Sequence, residues 1–253
     1  MSKLNRFLRY ISVLDILERE KGNLILEVGP GSQGVLAFWG KHLFGCDLNF
    51  GDYTATERAI NPNMIPVKGS AIDLPFKTNC FDHVICVDVL EHILPHCRLG
   101  VVMECIRVSK DRITIIFPSG KNAVKFDHKL YKIWAKKEIS IPGWLKEHRI
   151  LEYPVGTEIE EILNKHKYAW VKKYSCWALL HYWLERYERE SVLGPYISAV
   201  ADFLAPRPWN NSKHKLITNI FRMIVRMFYP ILFLTNIPPR YRLSFFIRKN
   251  NKY

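Results

Sequence analysis

A glycine-rich turn directly after an apolar strand is the segment of this sequence with the clearest chemistry. Residues 23–32 read NLILEVGPGS, so the carboxylate of Glu27 stands inside an apolar run, and Gly29 and Gly31 follow it. An apolar run of this kind is typical of a strand buried on both faces of a parallel sheet. Glycines after such a strand let the backbone turn tightly and approach a bound ligand closely. The segment therefore predicts a small-molecule site at the end of the first strand.

Glu27 distinguishes between two classes of ligand. The spacing Gly29-x-Gly31-x-x-Gly34 also satisfies the dinucleotide fingerprint, in which a pyrophosphate lies on a helix N-terminus. A carboxylate would repel a pyrophosphate, whereas the ammonium group of a methionine moiety would be attracted to it. We therefore expect S-adenosylmethionine rather than NAD. Asp47 ends the next apolar run, HLFGCDL, and is expected to accept hydrogen bonds from the ribose hydroxyls of either molecule.

Five segments between residues 23 and 120 resemble the class I S-adenosylmethionine-dependent methyltransferases. They read EVGPG, GCDL, GSAIDLPF, FDHVICVDVLEH and ITIIFPSG, and they stand in the order and spacing of that family. The resemblance is closest to the small-molecule branch that includes quinone methyltransferases, and to relatives associated with glycan or lipid-linked pathways. Residues 142–163, PGWLKEHRILEYPVGTEIEEIL, also resemble those relatives. The resemblance implies an α/β fold with a Rossmann-like sheet of strand order 3-2-1-4-5-7-6.

The predicted cofactor contacts come from the turns that follow the first four strands. They are Glu27, Gly29, Gly31, Asp47, Leu48, Ser70, Ala71, Ile72 and Asp88. Members of the family often carry an acid at the position of Ser70, where it would accept a hydrogen bond from the adenine amino group, and a neutral serine contributes less. Asp88 ends the fourth strand at the edge where open α/β sheets bind ligands. A cofactor contact by Asp88 and a helix-capping role for Glu91 and His92 are both compatible with the sequence.

Methyl transfer from a sulfonium is an in-line displacement, so the protein must hold the acceptor atom opposite the sulfur and exclude water. A sugar hydroxyl or a phenol would benefit from a base that takes its proton. Our candidates are His92, the adjacent Asp127 and His128, and the adjacent Glu147 and His148. Each is also compatible with a structural role, because a histidine beside a carboxylate in a basic helical segment is often a packing or surface residue.

The sequence as a whole predicts four parts of the chain. Residues 1–22 read as an amphipathic helix, 23–177 as the Rossmann-like cofactor domain, 178–241 as an inserted helical cap, and 242–253 as the final strand of the same sheet. A compact class I fold closes with strands six and seven as a short hairpin. Here the candidate strands, 169–177 and 242–249, are separated by roughly 60 residues, far more than an ordinary connection. We therefore expect the cap to be inserted between strands 6 and 7.

Charge and cysteine content help to predict the cellular compartment of the protein. Residues 1–120 hold 13 Lys and Arg against 13 Asp and Glu, and residues 121–253 hold 24 against 11, so the whole net charge of +13 belongs to the second part. The six cysteines show no Cys-x-x-Cys pairing and read as reduced core residues, so we expect neither disulfides nor a metal site. The N-terminus has no uninterrupted signal-peptide core. The sequence therefore favours a cytoplasmic protein.

Residues 216–234, LITNIFRMIVRMFYPILFL, have two interpretations. Arg222, Arg226 and Pro230 argue against a simple transmembrane span, because arginines are costly in hydrocarbon and the charge-free run is too short. A helix lying in a membrane interface fits the pattern, and it would make the protein peripheral at the inner membrane face. A buried cap helix stacked on the sheet fits it as well, and we favour this second interpretation.

The function expected from these features is methylation by S-adenosylmethionine of a small or lipid-linked acceptor, with O-methylation of a glycan or another hydroxyl compound preferred. Three alternatives remain open. A nucleic-acid methyltransferase would use the basic half for phosphate contacts, although the sequence has no RNA-binding module. An NAD-dependent oxidoreductase is disfavoured by Glu27. An inactive cofactor-binding partner protein would retain the same motifs.

Overall fold

The structure, a computed structural model, describes residues 3–17, 24–51, 60–175, 185–186, 189–191, 193, 196 and 241–249. Seven strands form one sheet in the order β3-β2-β1-β4-β5-β7-β6. They are β1 (Ile25–Val28), β2 (Leu43–Asp47), β3 (Met64–Lys68), β4 (Phe81–Val87), β5 (Ser109–Pro118), β6 (Ala169–Ser175) and β7 (Arg242–Arg248). The first five run parallel to one another, and β7 is antiparallel to both β5 and β6. This order confirms the Rossmann-like sheet predicted from the sequence.

Five α-helices whose bounds the structure describes accompany the sheet, together with short 3-10 turns. The helices are α1 (Lys3–Leu17), α2 (Arg98–Val108), α3 (Gly120–Lys136), α4 (Gly143–Ile150) and α5 (Gly156–Lys165). The 3-10 turns are Gly34–Ala37, Leu90–His92 and Pro95–Cys97. All four residues of β1 are buried, as expected for a central parallel strand covered on both faces.

The core lies on both faces of the sheet. On one face α2 and α5 supply Val101, Cys105, Ile159 and Leu163, which pack with the strands into one cluster of buried side chains. On the other face α1 and the first 3-10 turn pack against β1, β2 and β4. The buried side chains of α1 recur at helical spacing (Phe7, Tyr10, Val13, Leu14 and Leu17), which is why this helix lies flat against the sheet.

Strand β7 begins at the edge of the sheet where the parallel strands end. Because β7 is antiparallel to β5, its first residue, Arg242, pairs with the last residue of β5, Pro118. The backbone N–H of Ser119 also donates a hydrogen bond to the carbonyl oxygen of Tyr241. Tyr241 and Arg242 therefore stand beside the ends of β4 and β5.

The predicted helical cap at 178–241 lies almost entirely outside the described residues, and the apolar stretch at 216–234 lies wholly outside them. None of the helices described here combines the length and the hydropathy that crossing a bilayer requires.

Candidate active site

A cavity of about 350 Å³ opens at the carboxyl ends of the parallel strands. One end is lined by the glycine turn after β1, by the end of β2 and by the turn after β3. The other end is lined by the turn after β4, by α4, and by Tyr241 and Arg242, while Arg6, Arg9 and Tyr10 of α1 border it as well. The cavity is therefore continuous from the predicted cofactor turn to the candidate catalytic histidines.

The three glycines of the turn have positive φ angles and differ in what surrounds them. A Cβ added at Gly29 would lie 2.4 Å from Val89 Cγ2, and one at Gly34 would lie 2.2 Å from Glu27 Oε2. A Cβ at Gly31 would meet nothing within 4 Å, although its φ of +57° is strained for other residues. Packing thus accounts for the first and third glycines. The backbone at Gly31 faces the open cavity, where a ligand can approach it.

Glu27 does not line the cavity, contrary to the expectation that its carboxylate faces a bound ammonium group. Its side chain is 1% exposed, and the backbone N–H of Val35 donates to Oε2 at 2.9 Å and to Oε1 at 3.2 Å. The Tyr10 hydroxyl also hydrogen-bonds it. Burial raises the pKa of Glu27 from 4.5 to about 7. The Val35 N–H group of the 3-10 turn therefore engages this carboxylate, which holds the turn after β1 in place.

The raised pKa of Glu27 predicts a specific pH dependence of stability. The folded chain holds this proton more tightly than the unfolded chain, so the contribution to folding is full below pH 4.5 and lost as the pH rises through about 7. Relative to Glu27→Gln, the wild-type free energy of unfolding should fall by about 3 kcal/mol between pH 4.5 and pH 8. Urea unfolding of both proteins at several pH values measures the difference. If the difference in the free energy of unfolding between the two proteins does not change with pH, the raised pKa of Glu27 is contradicted.

The residues predicted after β2 and β3 come together at the cofactor end of the cavity. Asp47 Oδ2 accepts a hydrogen bond from the backbone N–H of Gly31 at 2.8 Å, and Oδ1 accepts one from Asn49 at 3.1 Å. Ser70 Oγ accepts a hydrogen bond from the backbone N–H of Ile72 at 3.3 Å. The predicted residues that line this part of the cavity are Gly29, Gly31, Asp47, Leu48, Ser70, Ala71 and Ile72.

Asp88 lines the cavity, but two guanidinium groups occupy its carboxylate. Arg242 donates from Nε and Nη2 at 2.9 Å each, and Arg9 Nη1 lies 2.9 Å from Oδ2. Burial alone would lower the pKa of Arg242, but the Asp88 carboxylate raises it above the usual value. Asp88 therefore ties α1 and β7 to the end of β4, and its contact with the cofactor stays a prediction. The 3-10 turn at Glu91 and His92 begins without any side-chain cap.

Two histidines meet at the other end of the cavity, each held by a carboxylate. His92 Nδ1 lies 2.6 Å from Glu147 Oε2, and His148 Nδ1 lies 2.8 Å from Asp127 Oδ2. The two imidazole rings are 5.1 Å apart between centroids. Asp127 also accepts hydrogen bonds from the hydroxyls of Tyr153 and Tyr241. A carboxylate with this many donors fixes the orientation of its histidine.

The expected Asp127-His128 pair does not form. Consecutive residues on a helix point about 100° apart, so Asp127 is buried while His128 is exposed and lies outside the cavity lining. Asp127 pairs instead with His148 of α4. Glu147 is 39% exposed and does not line the cavity, and it acts on the site through His92. The structure thus brings together four of the five candidate catalytic residues, across two pairs that sequence adjacency did not indicate.

Burial sets the protonation of the groups around the two histidines. It lowers the pKa of His92, with a further decrease from the neighbouring His148, which favours the neutral imidazole. Burial also raises the pKa of the Glu91 carboxyl well above its usual range, and the charge of Asp88 adds to this increase. The pKa of the Tyr153 hydroxyl is raised by burial and by Asp127, so this hydroxyl stays protonated and donates.

Several residues of the site were missed by the sequence interpretation: Arg9, Glu91, Tyr153, Tyr241 and Arg242. Tyr241 and Arg242 could have been predicted from the sequence. The predicted strand order makes the last strand antiparallel, so its first residues must lie at the carboxyl edge of the sheet. Arg9 stands on the predicted amphipathic helix, whose apolar stripe gave no indication of where its basic residues point.

The chain was compared with known proteins. Residues 26–117 match the family described as "Methyltransferase domain", and no curated protein sequence matches the chain significantly. Phosphoethanolamine N-methyltransferase 2 of Haemonchus contortus, solved with phosphomonomethylethanolamine and S-adenosylhomocysteine, is similar with a TM-score of 0.52 at 16% identity. The match covers 94% of this chain, which spans only 52% of that enzyme's length.

A second solved structure is similar over nearly its whole length. It is a SAM-dependent methyltransferase from Archaeoglobus fulgidus, with a TM-score of 0.51 at 14% identity, covering 96% of this chain and 94% of that one. At such identities the likeness shows the fold alone. Residues 26–117 therefore match a methyltransferase domain, and the sheet has the fold of these two methyltransferases.

Proposed function

We propose that this chain O-methylates a hydroxyl compound, either a small molecule or a lipid-linked glycan, bound at the histidine end of the cavity. The observation that carries the proposal is the pair His148 and Asp127. His148 Nδ1 is bonded to the buried carboxylate of Asp127, and Nε2 is buried and has no hydrogen-bond partner among the described residues. A hydroxyl in the cavity is a partner that this nitrogen can accept a hydrogen bond from.

Different residues around the cavity bind the cofactor and assist the loss of the acceptor's proton. Bound S-adenosylmethionine supplies an electrophilic methyl group, and the electrons of the carbon–sulfur bond stay with sulfur as the acceptor oxygen bonds to the methyl carbon. Gly31 and Asp47 hold the nucleoside end, as their position in the lining supports. His148 polarises the acceptor O–H bond so that the proton leaves as the new bond forms. Alignment of acceptor and methyl group contributes much of the rate.

The acceptor is identified by incubating the purified chain with methyl-labelled S-adenosylmethionine and a cell extract. Separating the products into aqueous and organic fractions before mass spectrometry distinguishes a free small molecule from a lipid-linked one. Label on an oxygen in either fraction supports the proposal. Label on RNA would favour the nucleic-acid alternative, and label on nitrogen or carbon of a small molecule would overturn O-methylation.

The cofactor end of the site gives a second prediction. We expect the chain to bind S-adenosylhomocysteine and to show no binding of NADH. Asp47→Asn should weaken S-adenosylhomocysteine roughly tenfold to a hundredfold, because it removes one charge-assisted contact worth about 1.5–3 kcal/mol. Titration calorimetry measures both ligands. Micromolar NADH binding without S-adenosylhomocysteine binding would reverse the assignment.

We also propose that the basic second half of the chain attracts an anionic membrane surface, which suits a lipid-linked acceptor. Five lysines recur along the exposed face of α3 at helical spacing: Lys121, Lys125, Lys129, Lys132 and Lys136. Such a row is attracted to anionic head groups, and the attraction decreases as salt screens it. This association would hold the chain at the inner membrane face.

Vesicle co-sedimentation tests this association. The chain should bind vesicles that contain phosphatidylserine, release them as salt rises, and ignore phosphatidylcholine vesicles. The double substitution Lys125→Glu and Lys132→Glu should abolish binding. The matched control reverses two exposed lysines of the electrically neutral half, Lys68 and Lys77, and should bind as the wild type does. Equal binding to both kinds of vesicle would contradict an electrostatic attachment.

A further inference from the structure

Three side chains that metal ions favour meet at the histidine end of the cavity. One potential ligand atom each of Glu91, His92 and His148 lies within 4.8 Å of those of the other two. Glu91 and His92 belong to the 3-10 turn after β4, and His148 comes from α4. Glu91 and His148 are only 2% and 8% exposed. Glu91 has no role in the proposed methyl transfer, which uses Gly31, Asp47 and His148.

The surroundings of the two imidazoles match those of metal-bound histidines. A histidine that binds a metal through one ring nitrogen almost always donates from the other to a carboxylate, a backbone carbonyl or water, which fixes its tautomer and orientation. Here His92 Nδ1 bonds Glu147 and His148 Nδ1 bonds Asp127. For His148 the nitrogen that can ligate is therefore Nε2, which Asp127 fixes in place. Each of the two histidines is thus bonded to a carboxylate, and the two histidines belong to different elements of the fold.

Two of the three ligand atoms are buried without a hydrogen bond. His148 Nε2 and Glu91 Oε2 have no partner in the part of the chain that the structure describes. Polar atoms left in this state cost about 1–3 kcal/mol each, so proteins rarely keep them without a use. A cation between the two atoms would satisfy both. The carboxylates of Glu91, Asp127 and Glu147 offset its charge.

We propose that Glu91, His92 and His148 bind one divalent metal ion, with the open coordination position facing the acceptor. Two histidines and one carboxylate form a ligand set typical of catalytic zinc, which keeps its fourth position for water or substrate. Ligand atoms about 2.1 Å from a tetrahedral zinc ion lie roughly 3.4 Å apart, so binding draws the three side chains together.

The ion would activate the acceptor hydroxyl, and this part of the inference rests on the proposed function. A hydroxyl bound to the open position becomes more acidic and loses its proton to water. The oxygen lone pair then attacks the methyl carbon, and the electrons of the carbon–sulfur bond remain on sulfur. The products are the methyl ether, S-adenosylhomocysteine and one proton. His148 then acts on the acceptor through the ion and no longer by direct contact.

Zinc titration of the full chain tests the site without measuring activity. The protein is stripped with a chelator, dialysed, and titrated with zinc chloride in a calorimeter, and we expect one zinc ion per chain. Glu91→Gln and His148→Asn should each weaken zinc by more than about a hundredfold, and Asp127→Asn, which removes the carboxylate that orients His148, by about 10–100-fold. His166→Ala removes an exposed histidine outside the cavity lining and should leave zinc affinity unchanged. Cobalt in place of zinc should give the visible absorption of a four- or five-coordinate site.

S-adenosylhomocysteine binding by each variant shows that it is folded. No zinc binding by the wild type, or unchanged zinc affinity in both Glu91→Gln and His148→Asn, would overturn the metal site. Methyl transfer by the stripped chain without zinc binding would overturn the metal site and leave the proposed function intact. Zinc binding that depends on Glu91 and His148, with no methylated hydroxyl compound in either extract fraction, would support the site and overturn the function.

Discussion

His148→Asn is expected to lower the turnover of methyl transfer by about a hundredfold to ten-thousandfold. The asparagine amide can occupy the position of Nδ1 and keep donating to Asp127, whereas the buried Nε2 atom, which has no partner among the described residues, is removed. Because the substitution leaves the glycine turn and Asp47 untouched, the affinity for S-adenosylhomocysteine should stay within about twofold. Steady-state kinetics with the identified acceptor and calorimetry with S-adenosylhomocysteine measure the two quantities.

His166→Ala serves as the matched control, because it removes an exposed histidine from the end of α5 and should leave turnover unchanged. Glu147→Gln should have a smaller effect than His148→Asn, since Glu147 is 39% exposed and reaches the cavity only through His92. A His148→Asn enzyme with near wild-type turnover would remove this residue from the reaction. A parallel decrease in the free energy of unfolding would instead assign it a structural role.

Asp88→Asn should destabilise the folded chain by about 3–5 kcal/mol, the usual cost of leaving a buried charge without its partner. The side chains of Asp88 and Arg242 are only 10% and 8% exposed, and Asp88 also pairs with Arg9. Asparagine keeps the size of the residue and tolerates the φ of +53° at this position, so the lost charge is the main change. Urea unfolding measures the difference.

The control for this prediction is Asp111→Asn, which removes an exposed partner of Arg112. Those side chains are 39% and 32% exposed, so the free energy of unfolding should change by no more than about 0.5 kcal/mol. Adding Arg242→Met to Asp88→Asn should recover part of the loss, because the uncompensated guanidinium is then gone. Equal effects of Asp88→Asn and Asp111→Asn would show that the pair with Arg242 contributes little.

The sheet was predictable because its signals are local. Apolar runs of strand length, glycines after β1 and an acid at the end of β2 each act within a few residues. The strand order, in contrast, came from the resemblance that these segments carry. Glu27 illustrates the limit of this information. Its place in a buried strand was predicted, but the choice between a ligand and the N–H group of Val35 depends on how closely the following turn folds over it.

The histidine end of the site was predictable only as a set of candidates. Asp127 and His128 were paired because they are adjacent, yet helix geometry turns them apart and brings Asp127 to His148, 21 residues later. Asp88 and Arg242 are 154 residues apart, and no local pattern indicates such a contact. Pairings of this kind depend on how α3, α4 and β7 pack at the sheet edge, which a single sequence does not encode in any short segment.

The position of β7 between β5 and β6 has a consequence for biosynthesis. A ribosome releases β5 and β6 long before residues 241–248, so the nascent chain carries two strands whose common partner has not yet been made. Strand β5 then presents an unpaired edge, and its residues 113–118 are ones that the finished protein buries. Such an edge is prone to pairing with other chains. Tyr241 and Arg242 are synthesised with β7. The addition of β7 to the sheet therefore closes the sheet and completes the histidine end of the cavity in the same folding step.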